Sequence, residues 1–378
     1  MRKKSVSLTL KKTLGHILLL ILIVVMQIPI GSSFSTTQET FSSSGLIVYN
    51  QTPEPGELPT PNPSGSLNLA GVGGDYLVHY SDSDPSIWET SWVQDDLAYY
   101  ASKGLTVSRL GFRFSDCETS YASQSTYFKW KMDRVLNYFD VHGIKVVFSL
   151  QNNDDMENYC GSQAMTDNWL QVTRDYKDDP RVSAFHIFSE PEHASWYDTW
   201  DAHITSKAQF NIEMMNLAKA IHAIDPNRIV ILPFMGLGSL YPGAGDYSQW
   251  IIDLKSAGFM NEQNTMVDIV HPYYFENKYD YGLSVSGKVK WYEDYQINPM
   301  INAFGVDKCW SGETFYWYGH VIGSSTVFAT DALQRQWLTS IINCFVKHDM
   351  GFDIWATLGN SNKRIPTLDC IKESNFGT

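Results

Sequence analysis

Residues 145–191 read KVVFSLQNNDDMENYCGSQAMTDNWLQVTRDYKDDPRVSAFHIFSEP. Two short apolar runs, at 145–150 and 182–188, flank a helical pattern at 169–176. A strand, a helix and a second strand in succession make a parallel βαβ unit. The same alternation extends in both directions. Further apolar runs fall at 71–80, 106–114, 228–233, 266–272, 307–310 and 351–355. Between most of them lie helical patterns, at 92–102, 127–142, 208–224, 250–257, 292–303 and 332–347. Leu217, Ala220, Ile221 and Ile224 repeat at the i, i+3, i+4, i+7 spacing of one buried helix face. Gly104 and Gly143 stand where the chain must leave a helix before the next strand.

Eight strands separated by helices are the number that closes a barrel. The fold class read here is α/β, a (β/α)₈ TIM barrel forming a single catalytic domain over residues 68–378. Little chain follows the eighth run, so the closing helix must be short, at about 368–374. A doubly wound sheet is the rival, but it usually needs fewer strands and a Gly-rich phosphate turn. The sequence Gly71-Val72-Gly73-Gly74 follows no clear strand and has no acidic partner about 20 residues on, so it is not a dinucleotide fingerprint.

Before the barrel, Arg2, Lys3, Lys4, Lys11 and Lys12 precede a nearly unbroken apolar run at 17–30, followed by Gly31, Ser32 and Ser33. This is the pattern of an export signal, and the run is shorter than the ~20 residues that span a bilayer comfortably. Residues 1–33 are therefore read as a signal peptide, with an uncleaved N-terminal anchor as the alternative. Residues 34–67 are rich in Ser, Thr and Pro, with Pro53, Pro55, Pro59, Pro61 and Pro63 clustered, and form a linker. The sequon Asn50-Gln51-Thr52 within it is compatible with export. The expected location is secreted or extracellular.

A net charge of −13 argues against nucleic-acid or polyanion partners, because there is no basic field to release counterions. The chain carries 12 Trp, 21 Tyr and 19 Phe, rings that suit stacking on flat hydroxylated ligands such as sugars. None of the five cysteines lies in a Cys-x-x-Cys pair or beside His at zinc-ligand spacing, so neither structural metal nor cofactor is expected. In an exported chain, Cys117–Cys160 and Cys344–Cys370 are candidate disulfides, and an odd count leaves a thiol over. A monomer is expected.

A barrel puts its active site at the C-terminal ends of the strands. Those positions hold Arg109, Gln151 and Asn152, the sequence Ser189-Glu190-Pro191, His271 and Tyr273, Gly312-Glu313, and Trp355. Glu190 and Glu313 thus project from strands 4 and 7, across the mouth from each other. Glycosidic cleavage needs such a pair: an acid to protonate the leaving oxygen, and a carboxylate to attack the anomeric carbon or activate water. Arg109 and Tyr273 are expected to hold Glu313 ionised as nucleophile. Glu190, walled by aromatics such as Trp196, is expected to keep its proton by desolvation. Trp355 would floor the sugar site. A lone Glu after an apolar run is ordinarily a solvated loop carboxylate; two on these strands, with Arg, His, Tyr and Trp at other strand ends, are not. Glu192, His193 and the acidic run Asp154-Asp155-Glu157 read as loop residues, and His186 as structural.

These residues carry a resemblance. Phe185-His-Ile-Phe-Ser-Glu-Pro191 is similar to the strand-4 Asn-Glu-Pro signature of family 5 of the glycoside hydrolases and its clan of barrels. Ser311-Gly-Glu-Thr-Phe315 looks like that family's strand-7 Gly-Glu-Phe motif, and His271-Pro-Tyr273 its strand-6 His-x-Tyr. Ser108-Arg-Leu110 resembles its strand-2 arginine, and Trp355 its strand-8 tryptophan. The resemblance covers about residues 68–360. It implies a retaining O-glycosyl hydrolase acting on a β-linked glucan, cellulose or mannan, with Glu190 as acid/base and Glu313 as nucleophile. Two positions depart from the family: Ser189 replaces the Asn that donates to the sugar 2-hydroxyl, and Gln151 stands where His is usual. They leave open a weakened or inactive carbohydrate-binding barrel, and an exo-acting β-glycosidase of the same clan.

Overall fold

A computed structural model of the protein describes residues 69–74, 91–112, 121–151, 159–191, 201, 203–233, 247–272, 283–314, 320–322, 325–327, 331–358 and 369–376. The chain divides into two compact units, Met1–Leu58 and Pro59–Thr378, and all of these residues fall in the second. The signal, the sequon and the whole of the linker read from the sequence lie outside the described residues. Among the described residues, no helix is long and apolar enough to cross a membrane.

The barrel strands are β1 (Gly71–Gly74), β2 (Val107–Phe112), β3 (Lys145–Gln151), β4 (Val182–Ser189), β5 (Ile229–Leu232), β6 (Thr265–Asp268) and β7 (Cys309–Thr314). A short antiparallel hairpin follows, β8 (His320–Ile322) with β9 (Ser325–Val327), and β10 (Gly351–Leu358) is the eighth barrel strand. Every barrel pairing is parallel, and β1 bonds both β2 and β10, which closes the ring. The (β/α)₈ reading holds. Three details differ from the sequence reading. The seventh strand begins at Cys309 and runs through Glu313 rather than stopping before it, and the hairpin has no counterpart in the expected pattern. The helix expected at 292–303 is also broken. It becomes Val285–Tyr292, a π turn Glu293–Ile297 and Asn298–Phe304, the last with a proline in its first turn. Ser162, Ser206 and Ser284 cap three of the outer helices by accepting from the backbone N–H three residues on. A short closing helix occupies 369–373.

The core is in two layers. Leu97, Leu136, Trp169, Phe210, Leu254 and Trp337 of the helices pack against outward-facing strand residues such as Phe148 and Phe185. Inside the ring a second cluster takes one residue from each of seven segments in turn: Leu69, Val107, Val147, Ala184, Ile231, Met266 and Trp310. Trp310 ties this floor together by donating its indole N–H to Leu69 O at 3.0 Å. Side chains alternate sides along a strand, so the next inward position lies two residues on. There the lining turns polar, with Arg109, Ser149, His186, Asp268 and Gly312, completed by Asp353 on β10.

The sequence reading paired cysteines, and the structure does not. Cys160, Cys344 and Cys370 are free buried thiols, as is Cys309; Cys117 lies outside the described residues. Cys370 reaches Arg335 O at 3.6 Å instead of Cys344. Burial pushes each of these thiols up, Cys344 and Cys370 to about 12, so they behave as small apolar groups.

The barrel closes at a tight seam. A Cβ on Gly71 would overlap Val107 O and lie 2.8 Å from Val107 Cγ2, and neither backbone can withdraw without opening the ring. Gly71→Ala is expected to lower stability by roughly 1–3 kcal/mol, the usual cost of overpacking. A urea-unfolding midpoint equal to wild type would contradict this account of the seam.

Candidate active site

The polar ring above the floor positions the site. Arg109, 1 % exposed, donates from one Nη to Glu313 Oε2 at 2.9 Å and from the other to Gly312 O. Its own N–H donates to Asp353 Oδ2 at 3.2 Å. Burial opposes the charge on the guanidinium, but Glu313, Asp353 and Asp268 outweigh it. On the other side of the mouth, His271 places Nδ1 2.6 Å from Glu190 Oε1 and Nε2 2.6 Å from Asp268 Oδ2. Burial again opposes charge, yet the two carboxylates hold the imidazole well above the ordinary histidine range. Asp268 is correspondingly held low by His271 and His186, against its own burial.

Glu190 follows the last residue of β4 with φ +51°, in the left-handed region, and precedes Pro191. A non-glycine residue there, before a proline that disfavours helical backbone, is strained and persists only where its surroundings demand it. The turn brings Glu190 inward, onto His271. One oxygen of Glu190, one of Glu313 and a His271 nitrogen all lie within 4.8 Å of one another.

The ionisation differs from the sequence expectation. Burial and the facing Glu190 push the Glu313 carboxyl up to about 7, against the pull of Arg109. Arg109 therefore does not keep Glu313 in the ordinary carboxylate range, because desolvation of a fully enclosed acid outweighs one guanidinium. Two carboxylates this close, in so dry a site, retain one proton between them to near neutrality.

Of the remaining expected residues, Ser189 is buried on β4 and paired in register with Gln151 on β3. Gln151 donates to Ser149 Oγ at 3.1 Å, and Ser149 meets His186 Nδ1 at 2.9 Å. Trp355 is half-buried on β10, one residue beyond Ile354, which pairs with Thr314 of β7. Asn152, Trp196 and Tyr273 lie outside the described residues, as do Glu192, His193 and the acidic run at 154–157.

Two buried groups went unread in the sequence, and a third was read only as structural. Asp268 is the hub of the left half of the site, and Asp353 lies beneath Arg109. His186, read only as structural, stands 3.5 Å from Asp268 Oδ2 and edge-on to Trp310, and burial drives it down to about 3, so it is neutral. A signal existed for the two acids. Each is a charged residue inside an otherwise apolar strand run, two positions from an inward-facing one.

Glu190, His271 and Glu313 have the spacing of a metal site, but Arg109 and a charged His271 already neutralise both carboxylates. Glu293, Cys344 and His348 form a second such group, in which the Lys347 ammonium and His348 both bond Glu293. A cavity opens at the opposite, N-terminal end of the barrel, lined by Leu69, Lys145, Asp179, Asp225 and Arg228 among others. That face of such barrels serves stability rather than chemistry.

A parallel eight-stranded barrel with two acids facing each other at its C-terminal mouth, one beside a buried arginine and one beside a histidine, defines a barrel glycoside hydrolase. The model of the cellulase family, glycosyl hydrolase family 5, matches residues 78–309, more than half of the chain, and the chain belongs to that family. The match stops short of Glu313, so the seventh-strand acid rests on the geometry alone. A search of curated protein sequences finds no match. Among solved structures, it is similar to a trimodular family-5 endoglucanase (14 % identity, TM-score 0.57), over 82 % of this chain and 60 % of that one. This chain thus spans less than two thirds of that trimodular protein. It is also similar to cellulose synthase subunit Z of Clostridioides difficile (17 %, 0.55), over 80 % and 98 %. A third is Thermotoga maritima Cel5A, solved with cellobiose (15 %, 0.56), over 82 % and 99 %. At these identities the likeness is one of fold.

Asp353 offers a direct test of the buried charge. Burial pushes its carboxyl up to about 7, and its Oδ1 has no partner among the described residues. A folded-state pKa raised above the unfolded value stabilises the fold most below the unfolded pKa, near 4, and that contribution is lost as pH rises to about 7. Asp353→Asn keeps an acceptor for Arg109 N–H and carries no charge. Its urea midpoint should exceed wild type at pH 8, by roughly 1 kcal/mol or more, and the difference should shrink as pH falls toward 4. An offset that does not change with pH would contradict this.

Proposed function

We propose that this family-5 glycoside hydrolase cleaves a β-linked glucan with retention of configuration, with Glu190 as acid/base and Glu313 as nucleophile. The observation that carries the reading is the approach of the two carboxylates, with oxygens within 4.8 Å. Retaining glycosidases hold the pair about 5–5.5 Å apart, whereas inverting enzymes leave roughly 6.5–9.5 Å for a water. Burial and Glu190 push the Glu313 carboxyl up to about 7, so one proton stays in the site to near neutrality; the reaction requires it on Glu190, with Glu313 ionised beside Arg109. Glu313 attacks the anomeric carbon while Glu190 passes its proton to the departing oxygen, giving a glycosyl ester on Glu313. Glu190, now a base, takes a proton from water, which displaces Glu313 and restores the starting state. Arg109 stabilises the carboxylate as it leaves.

The choice of β-glucan draws on the endoglucanases among the similar structures and on the cellobiose bound by one of them. A polymeric substrate of this kind lies outside the cytoplasm, consistent with the basic and apolar N-terminus. Hydrolysis of β-glucan, cellulose, mannan, xylan and aryl β-glycosides should show release from β-glucan, and NMR of the first product should show the β-anomer. Early α-anomer would remove Glu313 as nucleophile. Glu313→Ala should abolish turnover. Glu190→Ala should lose about 100-fold or more in kcat/KM on glucan and far less on an activated aryl glycoside, whose leaving group needs little protonation. Equal losses on both would refute Glu190 as the acid.

A further inference from the structure

The geometry points to Asp268 as the positioning residue that sets both catalytic carboxylates from a single side chain. Its two oxygens serve different halves of the site. Oδ1 accepts the N–H of Gly312 at 2.8 Å and so fixes the backbone immediately before Glu313. Oδ2 lies 2.6 Å from His271 Nε2, and His271 in turn holds Glu190 Oε1 at 2.6 Å. A Cβ on Gly312 would overlap Oδ2 and come within 3.0 Å of His271 Nε2, so glycine at this position is what lets the carboxylate in. Asp268 is 1 % exposed, and its bonds to Gly312 and His271 carry its action to the two acids.

The electrostatics give the device its purpose. Asp268 accepts from Nε2 and neutralises the imidazolium, so Nδ1 keeps its proton and donates to Glu190 Oε1. With Oε1 committed to His271, the transferable proton of Glu190 rides on Oε2. The charged and titratable groups around His271 are Asp268 on its own segment, Glu190 and His186 from β4, Glu313 from β7, Arg109 from β2 and Asp353 from β10. Among the described residues, Asp268 and Glu190 bond it directly, and His186 is neutral. Removing the Asp268 charge therefore releases the imidazolium proton at lower pH and leaves Glu190 without a fixed donor.

This inference rests on the reading of Glu190 as acid/base, and the test separates the two. The His271 imidazole is titrated by NMR in wild type and in Asp268→Asn, and kcat/KM is measured for both on a soluble β-glucan and on an activated aryl β-glycoside. In wild type, His271 should titrate well above the ordinary value of ~6.5, and in the variant at or below it. The variant should lose about 100-fold on glucan and less than about ten-fold on the aryl glycoside, a split that general loosening of the fold would not produce. Equal losses on the two substrates in a folded variant overturn the proposal, as does a wild-type His271 that titrates at or below ~6.5. If Asp268→Asn does not fold, the wild-type titration decides alone. A wild type that cleaves neither substrate sinks the glycosidase reading, while the titration still decides whether Asp268 holds the imidazolium.

Discussion

The constraint on which the site depends is a guanidinium placed where water does not reach it. Arg109 sits inside the barrel, two residues above the apolar floor, and its charge must be balanced by groups on other strands. Glu313 of β7 supplies that balance directly, and Asp353 of β10 and Asp268 of β6 support it from further off. An unpaired buried charge is strongly destabilising, so these strands are held in mutual register by electrostatics as well as by backbone bonds. The ring closes on chemistry as much as on geometry.

That arrangement creates more negative charge than Arg109 can absorb. Four acids, Glu190, Asp268, Glu313 and Asp353, meet two cations, Arg109 and His271. The surplus is resolved by protonation. Asp268, with a histidine on one oxygen and an N–H on the other, takes the ionised state. Glu313 and Asp353 are instead pushed toward neutrality by burial. Crowding carboxylates in an enclosed mouth thus keeps a proton within the site to near pH 7, where general acid chemistry can draw on it. The sequence reading placed the raised pKa on the other member of the pair, because it weighed Arg109 without the cost of enclosing Glu313.

What was legible in the sequence, and what was not, follows from where the signal is local. The strands of the barrel announce themselves as short apolar runs between amphipathic stretches, since burial on the ring and packing of the helices impose those periods directly. Arg109, Glu190, His271 and Glu313 were legible for a related reason: strand ends in a barrel converge, so position along the chain predicts position in space. The broken helix at 285–304 was not, because a π turn arises from how the segment packs and leaves the periodicity nearly unchanged. The cysteine pairing failed because spacing says nothing about which core each thiol enters. Asp268 and Asp353 were hidden among apolar neighbours that drew the eye to the strand and away from its one charged member.

Glu190 and Glu313 each adjoin a backbone exception, and the two exceptions have one cause. A regular strand alternates its side chains strictly, so consecutive residues cannot both serve the mouth. The register shifts between β3 and β4 near Ser149–Gln151, and between β10 and β7 near Phe352–Ile354, the stretches beside Glu190 and Glu313. At β4 the shift is followed by the left-handed turn at Glu190. At β7 the inward position goes to Gly312, which has no side chain, and the carbonyl and N–H there bind Arg109 and Asp268. Glu313, the next residue, is thereby free of a competing neighbour and meets Arg109. Irregularities that re-aim side chains are common beside active sites for this reason. Here the strain at one acid and the missing Cβ before the other are two solutions to the same steric problem, that of bringing two carboxylates within 4.8 Å across a barrel.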